Sequence, residues 1–179
     1  MDALAVVLEK PKQLVLSRLD LDAPGDEDVV VDIDWTGIST GTERLLWSGR
    51  MPAFPGMGYP LVPGYESVGR VSSAGKSSGG KVGDRVFVPG AQCYGAIKGL
   101  FGGAASRVVV PGRRVLPINE ALGEQGILIA LAATAYHAIV GGRAPDLIVG
   151  HGVLGRLIAR IAIALGEKPP LVWLSLIHI

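Results

Sequence analysis

The sequence predicts a barrel-like all-β domain over residues 1–120, followed over residues 121–179 by a linking helix and the incomplete start of an α/β domain. Three observations carry that expectation. Short apolar runs separated by glycine-rich turns continue as far as Val110. Near Pro117 the composition shifts to Ala, Leu and Ile. Past that shift, a glycine-rich turn joins a short apolar strand to a helix at Gly150–Gly155.

The first strands are Ala5-Val-Val-Leu8 and Leu14-Val-Leu16, which flank Lys10-Pro-Lys12 and read as a hairpin. From Asp28 to Trp35, Val29, Val31 and Ile33 alternate with Asp32 and Asp34, the pattern of a half-buried strand. Tyr65–Val71, Arg85–Val88 and Ala105–Val110 are three further strands, punctuated at Gly75, Gly79-Gly80 and Gly102-Gly103. Many short strands at close spacing favour a barrel. Leu122 to Val140 then reads as a buried helix stopped by Gly141-Gly142. Asp146–Gly150 is a short buried strand. Gly152–Leu165 is a helix with Arg156 and Arg160 on its polar face, and Leu171-Val-Trp173 is a second, parallel strand.

Composition narrows the function classes. The 179 residues are 49% hydrophobic and carry 17 basic against 16 acidic side chains, a net charge of +1 with no basic stripe, so nucleic acid is not the expected partner. Cys93 is the single cysteine, which excludes an internal disulfide and a cysteine-rich zinc lobe. The N-terminus has no basic region ahead of an apolar one. The longest apolar stretch, Gly126–Val140, contains His137 and is shorter than the roughly 20 residues of a membrane span. A soluble cytoplasmic protein, not membrane-spanning, is expected.

Gly150-His-Gly-Val-Leu-Gly155 matches G-x-G-x-x-G in the required setting, after a strand and at the start of a helix. Gly150 permits the tight turn, Gly152 lets the backbone approach a pyrophosphate, and Gly155 lets helix and strand pack closely. These are the signs of a Rossmann domain binding NAD. The acid that should follow about 20 residues on to hold the ribose is missing, so NADP stays open. The end, Leu174-Ser-Leu-Ile-His-Ile179, is apolar and reads as truncated or frame-shifted.

Pro63-Gly-Tyr-Glu-Ser-Val-Gly-Arg-Val71, followed by Val82-Gly-Asp-Arg-Val86, resembles the medium-chain dehydrogenase/reductase family. The zinc enzymes of that family read Gly-His-Glu-x-x-Gly-x-Val and then Gly-Asp-Arg-Val. The resemblance extends to Trp173 and implies a GroES-like β-barrel catalytic domain before the Rossmann domain. It also implies departures. Ser39 stands at the position of the ligand cysteine and Tyr65 at that of the ligand histidine, so the resemblance is to a branch without zinc.

Within the family, the runs Ser39–Pro52, Pro55–Tyr65 and Thr134-Ala-Tyr-His137 are similar to a branch acting in bacteriochlorophyll biosynthesis. That branch oxidises a hydroxyethyl group of a bacteriochlorophyllide, a chlorin macrocycle, to acetyl with NAD. A quinone or enone reductase using NADPH is the alternative enzyme, and a non-catalytic module is the alternative of another class. By side-chain chemistry the candidates for proton removal are Tyr65, Glu66, Glu43, His137 and Ser39, of which Ser39, Tyr65, Glu66 and His137 are assigned as catalytic; Gly150, Gly152, Gly155 and Thr134 are assigned to the cofactor. Trp47 and Tyr59 are the candidates to lie against the macrocycle, because the loop from Leu45 to Tyr65 is rich in aromatic and thioether side chains. Packing of that loop on its own domain is the equal alternative. The whole protein is expected to be the enzyme, with a homodimer open as its assembly, and the 179-residue chain by itself to be inactive.

Overall fold

The computed structural model describes residues 1–174; the sequence expectation for residues 175–179 lies outside them. The chain divides into two compact units, Met1–Ile127 and Leu128–Ile179.

The first unit is built on two sheets. The hairpin forms as read: β1 (Asp2–Lys10) and β2 (Gln13–Asp20) pair antiparallel, with Lys10 opposite Gln13 and Lys12 in the left-handed region at φ 64°. β3 (Asp28–Thr36) leads into a short helix, α1 (Thr42–Ser48), which the sequence reading did not separate from the following loop. Then come β4 (Leu61–Val62), β5 (Ser67–Ala74), β6 (Arg85–Val88), β7 (Lys98–Gly99), β8 (Arg107–Pro111) and β9 (Leu116–Pro117). Their orders are β2-β1-β4-β7 and β8-β3-β5-β6-β9.

β3 buries Val29, Val30 and Val31 in succession, because it is an inner strand flanked by β5 and β8. The alternation expected of it does not appear: its second half grades from half-buried Asp32 and Ile33 to exposed Asp34, Trp35 and Thr36, and there Asp32 pairs with Arg107 and Asp34 with Arg85. Valines of β3, β5, β6 and β8 share one core with Ala3, Ala5 and Val7 of β1.

These sheets are open and do not close into the expected barrel. The segment before β8 meets β1 through a single antiparallel bridge, Ala5 to Ala105, and register shifts interrupt the β3–β5 pairing. One bridge is too short a ladder to close a barrel, whose strands must continue their pairing around the ring.

The expected long buried helix over residues 122–140 is also corrected. Glu120–Leu128 is a 3-10 run broken at Gly123, whose φ of 50° and ψ of −131° no helix contains. α2 (Ile129–His137) follows, and Ala135 is its one buried residue.

In the second unit β10 (Leu147–Val149) and β11 (Leu171–Trp173) pair in parallel, with α3 (Val153–Ala164) between them in sequence. α2 packs on α3. Only Ile148 of β10 is buried, against the expectation of a buried strand. A two-stranded parallel sheet with one crossover helix is the whole of the α/β content among the described residues, and it does not amount to the Rossmann fold anticipated from sequence. No helix among the described residues is long and apolar enough to cross a membrane.

Candidate functional site

The candidate site lies in the first unit, where the chain leaves β3 and where it enters β5. Gly37 donates its N–H to the Glu66 carbonyl at 2.8 Å and so ties the two segments together. A Cβ on Gly37 would fall 2.4 Å from Glu66 Oε2, so only glycine lets the buried carboxylate lie against this backbone. Beyond it Ser39 organises the entry to α1. Its Oγ accepts the Thr42 N–H at 3.4 Å, and its carbonyl accepts the Glu43 N–H at 3.1 Å.

Tyr65 comes back to the same place from the other side. Its hydroxyl is 3.3 Å from Thr42 Oγ1, and its ring stands edge-on to Phe101 with centroids 5.3 Å apart. Ser39, Thr42, Tyr65 and Glu66 are therefore brought together by residues about 25 positions apart in the chain. Beside them opens a cavity of about 570 Å3, walled by Leu14, Ile38 and Trp47 and carrying Ser39, Glu43 and Arg44.

The electrostatics are dominated by two carboxyl groups. Glu66 is 4% exposed, and burial pushes its carboxyl above the ordinary range. Burial also raises Glu43, and the nearby charge of Glu66 adds to the effect. Glu43 is among the sequence's candidates for proton removal, whereas Thr42 is not. Helix α1 is too short to show periodicity, and Thr42 matters only through its contact with Tyr65.

The aromatic loop divides. Trp47 is 42% exposed and lines the cavity. Tyr59 packs with Met51 and Met57 against Leu8, Leu46, Leu61 and Leu100, and its hydroxyl donates to the Leu46 carbonyl. That part of the loop is bound to its own domain.

The donor set does not fit zinc. Thiolate and imidazole are the donors such a site needs, and Ser39 and Tyr65 offer a hydroxyl and a phenol. Among the described residues no group of three or more His, Cys, Asp or Glu side chains gathers. Cys93 lies in the core with its thiol held protonated by burial.

In the second unit the glycine turn fits a dinucleotide phosphate. Gly150 has a φ of 96°, and a Cβ at Gly150 or Gly152 would meet nothing within 4 Å, so the turn is open in front. At Gly155 the added Cβ would sit 2.5 Å from the Gly150 carbonyl oxygen, the close approach for which that glycine is needed. His151 Nδ1 is buried without a partner in this turn. On α2, Thr134 donates its hydroxyl back to the Ala130 carbonyl at 3.1 Å, and both Thr134 and His137 are exposed. His137 is thus not the core histidine that an apolar helix suggests.

Residues 25–120 match the family model described as alcohol dehydrogenase GroES-like domain. The chain belongs to the medium-chain dehydrogenase/reductase family. Two relatives in this family, each named 2-desacetyl-2-hydroxyethyl bacteriochlorophyllide A dehydrogenase, are 54% identical to it over 176 residues. That of Rhodobacter capsulatus is matched over 97% of this chain and 56% of its own length. That of Cereibacter sphaeroides is matched over 94% and 55%. The chain thus spans about half the length of these medium-chain relatives. Among solved structures, 2R,3R-butanediol dehydrogenase from Bacillus subtilis aligns with a TM-score of 0.75 at 22% identity, over 96% of this chain and 57% of that one. That likeness is one of fold.

Proposed function

We propose that the whole protein oxidises a hydroxyethyl group on a chlorin-type macrocycle to acetyl with NAD and without zinc. The observation that carries this reading is the 54% identity, over nearly all of the chain, to two proteins bearing that substrate in their names. The cavity agrees with it in character. Its apolar walls and the half-exposed indole of Trp47 suit one edge of a flat, apolar ring system.

In this reading Ser39 and Tyr65 hydrogen-bond the substrate hydroxyl where the zinc enzymes of the family hold their metal, and Trp47 lies against the macrocycle. Tyr59, half-buried against the leucine cluster, shapes the loop. Gly150, Gly152 and Gly155 hold the dinucleotide phosphate at the N-terminus of α3. Bound there, the nicotinamide supplies the hydride acceptor. Thr134 is assigned to the cofactor side, and His137 is the alternative contact to the substrate hydroxyl should Tyr65 prove dispensable.

The test is turnover by the whole protein of the hydroxyethyl macrocycle with NAD, followed as NADH formation and as the acetyl product. Formation of both is the expected result. Reduction of an enone with NADPH, together with inertness toward the hydroxyethyl compound, would overturn the reading in favour of a reductase.

A further inference from the structure

Two inward-facing carboxylates at the candidate site have no counter-charge. Glu43 Oε2 and Glu66 Oε1 are both buried without a hydrogen-bond partner, and neither residue forms an ion pair among the described residues. Glu66 is 4% exposed and pressed on the backbone at Gly37; Glu43 stands at the cavity wall together with Gly37 and Ser39. The other ionisable groups here are the Tyr65 phenol, from the approach to β5, and Arg44, which lines the cavity from α1 and is exposed. Glu66 is buried and Glu43 half-buried, and neither is paired with a cation, so ionising both is costly and burial holds each carboxyl above the free carboxylate range. A carboxylate shifted upward in this way is a better proton acceptor than a free one.

We propose that Glu43 accepts the proton of the substrate alcohol, with Glu66 as the buried positioning residue that keeps the pair at one negative charge. The assignment rests on the dehydrogenase reading above. In the step, the alcohol O–H bond breaks and its proton passes to the ionised carboxylate of Glu43. The carbinol C–H bond breaks with its electron pair leaving as hydride to NAD, and the C=O double bond forms. Ser39 and Tyr65 hold the oxygen while this happens. Burial raises both carboxyls, so the acceptor is ionised above that raised range, and the rate is lost as pH falls through it.

The test pairs the pH profile of the whole protein, acting on the hydroxyethyl macrocycle with NAD, with a cofactor-free infrared titration of the carboxyl C=O band. Glu43→Gln is expected to lower the maximal rate by at least about tenfold and to flatten the acidic limb of the profile. Glu43→Asp should recover part of both, which a purely structural role would not give. Glu66→Gln should keep the acidic limb but move it to lower pH, since the neighbouring charge is gone. The wild-type infrared spectrum should contain a carboxyl band titrating above the ordinary carboxylate range and absent from Glu43→Gln. A folded Glu43→Gln with unchanged rate and pH profile, or a spectrum without that band, would overturn the assignment. Failure of the wild type to oxidise the macrocycle would overturn the functional reading instead, and the band would still decide whether the pair holds a proton.

Discussion

Tyr65 concentrates its proposed chemistry in one oxygen atom, which makes it the cleanest residue to test. Its ring is held edge-on by Phe101, and its hydroxyl meets Thr42 Oγ1 at 3.3 Å. Tyr65→Phe keeps the ring contact and removes the hydrogen bond. A donor aimed at a developing charge is typically worth about 10²–10³ in rate. The substitution should therefore lower the maximal rate by at least about tenfold, with apparent substrate affinity little changed. Steady-state kinetics of the whole protein decide it, and an unaltered rate moves the role to His137. Ser39, Tyr65 and Glu66 could be named from sequence because they occupy recognisable positions in a motif. Glu43 is a candidate from its residue type alone, but its place at the cavity wall and the need for glycine at position 37 are not legible. The latter rests on the Glu66 carboxylate lying 2.4 Å from where a Cβ on Gly37 would be, a relation between residues nearly 30 positions apart.

Helix α1 shows how an element can carry a site and still escape a sequence reading. Its seven residues span two turns, and Leu46 is its single buried side chain. Leu46 is fully enclosed with Leu8, Leu61 and Leu100, while Glu43 and Trp47 of the same helix line the cavity. Leu46→Ala should cost about 2–5 kcal/mol, the usual price of emptying a leucine-sized space in a core. Urea unfolding measures that cost, and a loss under about 1 kcal/mol would mean that the helix is held in some other way. The hairpin and β6 were legible because apolar runs bounded by Pro and Gly act locally. The run over residues 122–140 misled because its Ala and Leu content favours a helix, whereas the backbone at Gly123 interrupts it. Barrel closure was illegible for a different reason. It depends on how far the pairing between the β1 and β3 sheets extends, and a single bridge at Ala5 is not encoded in any one segment.

At the scale of the whole chain, the two units differ in how much apolar surface they enclose. The first buries a continuous core that runs from Ala3 through the valines of β3, β5, β6 and β8. The second, among the described residues, buries the hydrophobic side chains of Ala135, Ile139, Ile148 and Ala162. Leu147, Val149, Leu171 and Trp173 on its two strands are all more than half exposed. Burial of apolar area at about 25 cal/mol per Å² is the main term opposing chain entropy, so a unit with so little of it opens at low free energy. Amides in α2, α3 and β10 should therefore exchange with solvent through local openings well below the global unfolding free energy, while those of β3, β5 and β8 should exchange only by global unfolding. Hydrogen-exchange mass spectrometry of the 179-residue chain across a denaturant series separates the two classes. Equal protection in the two units would show that apolar burial does not set their relative stability.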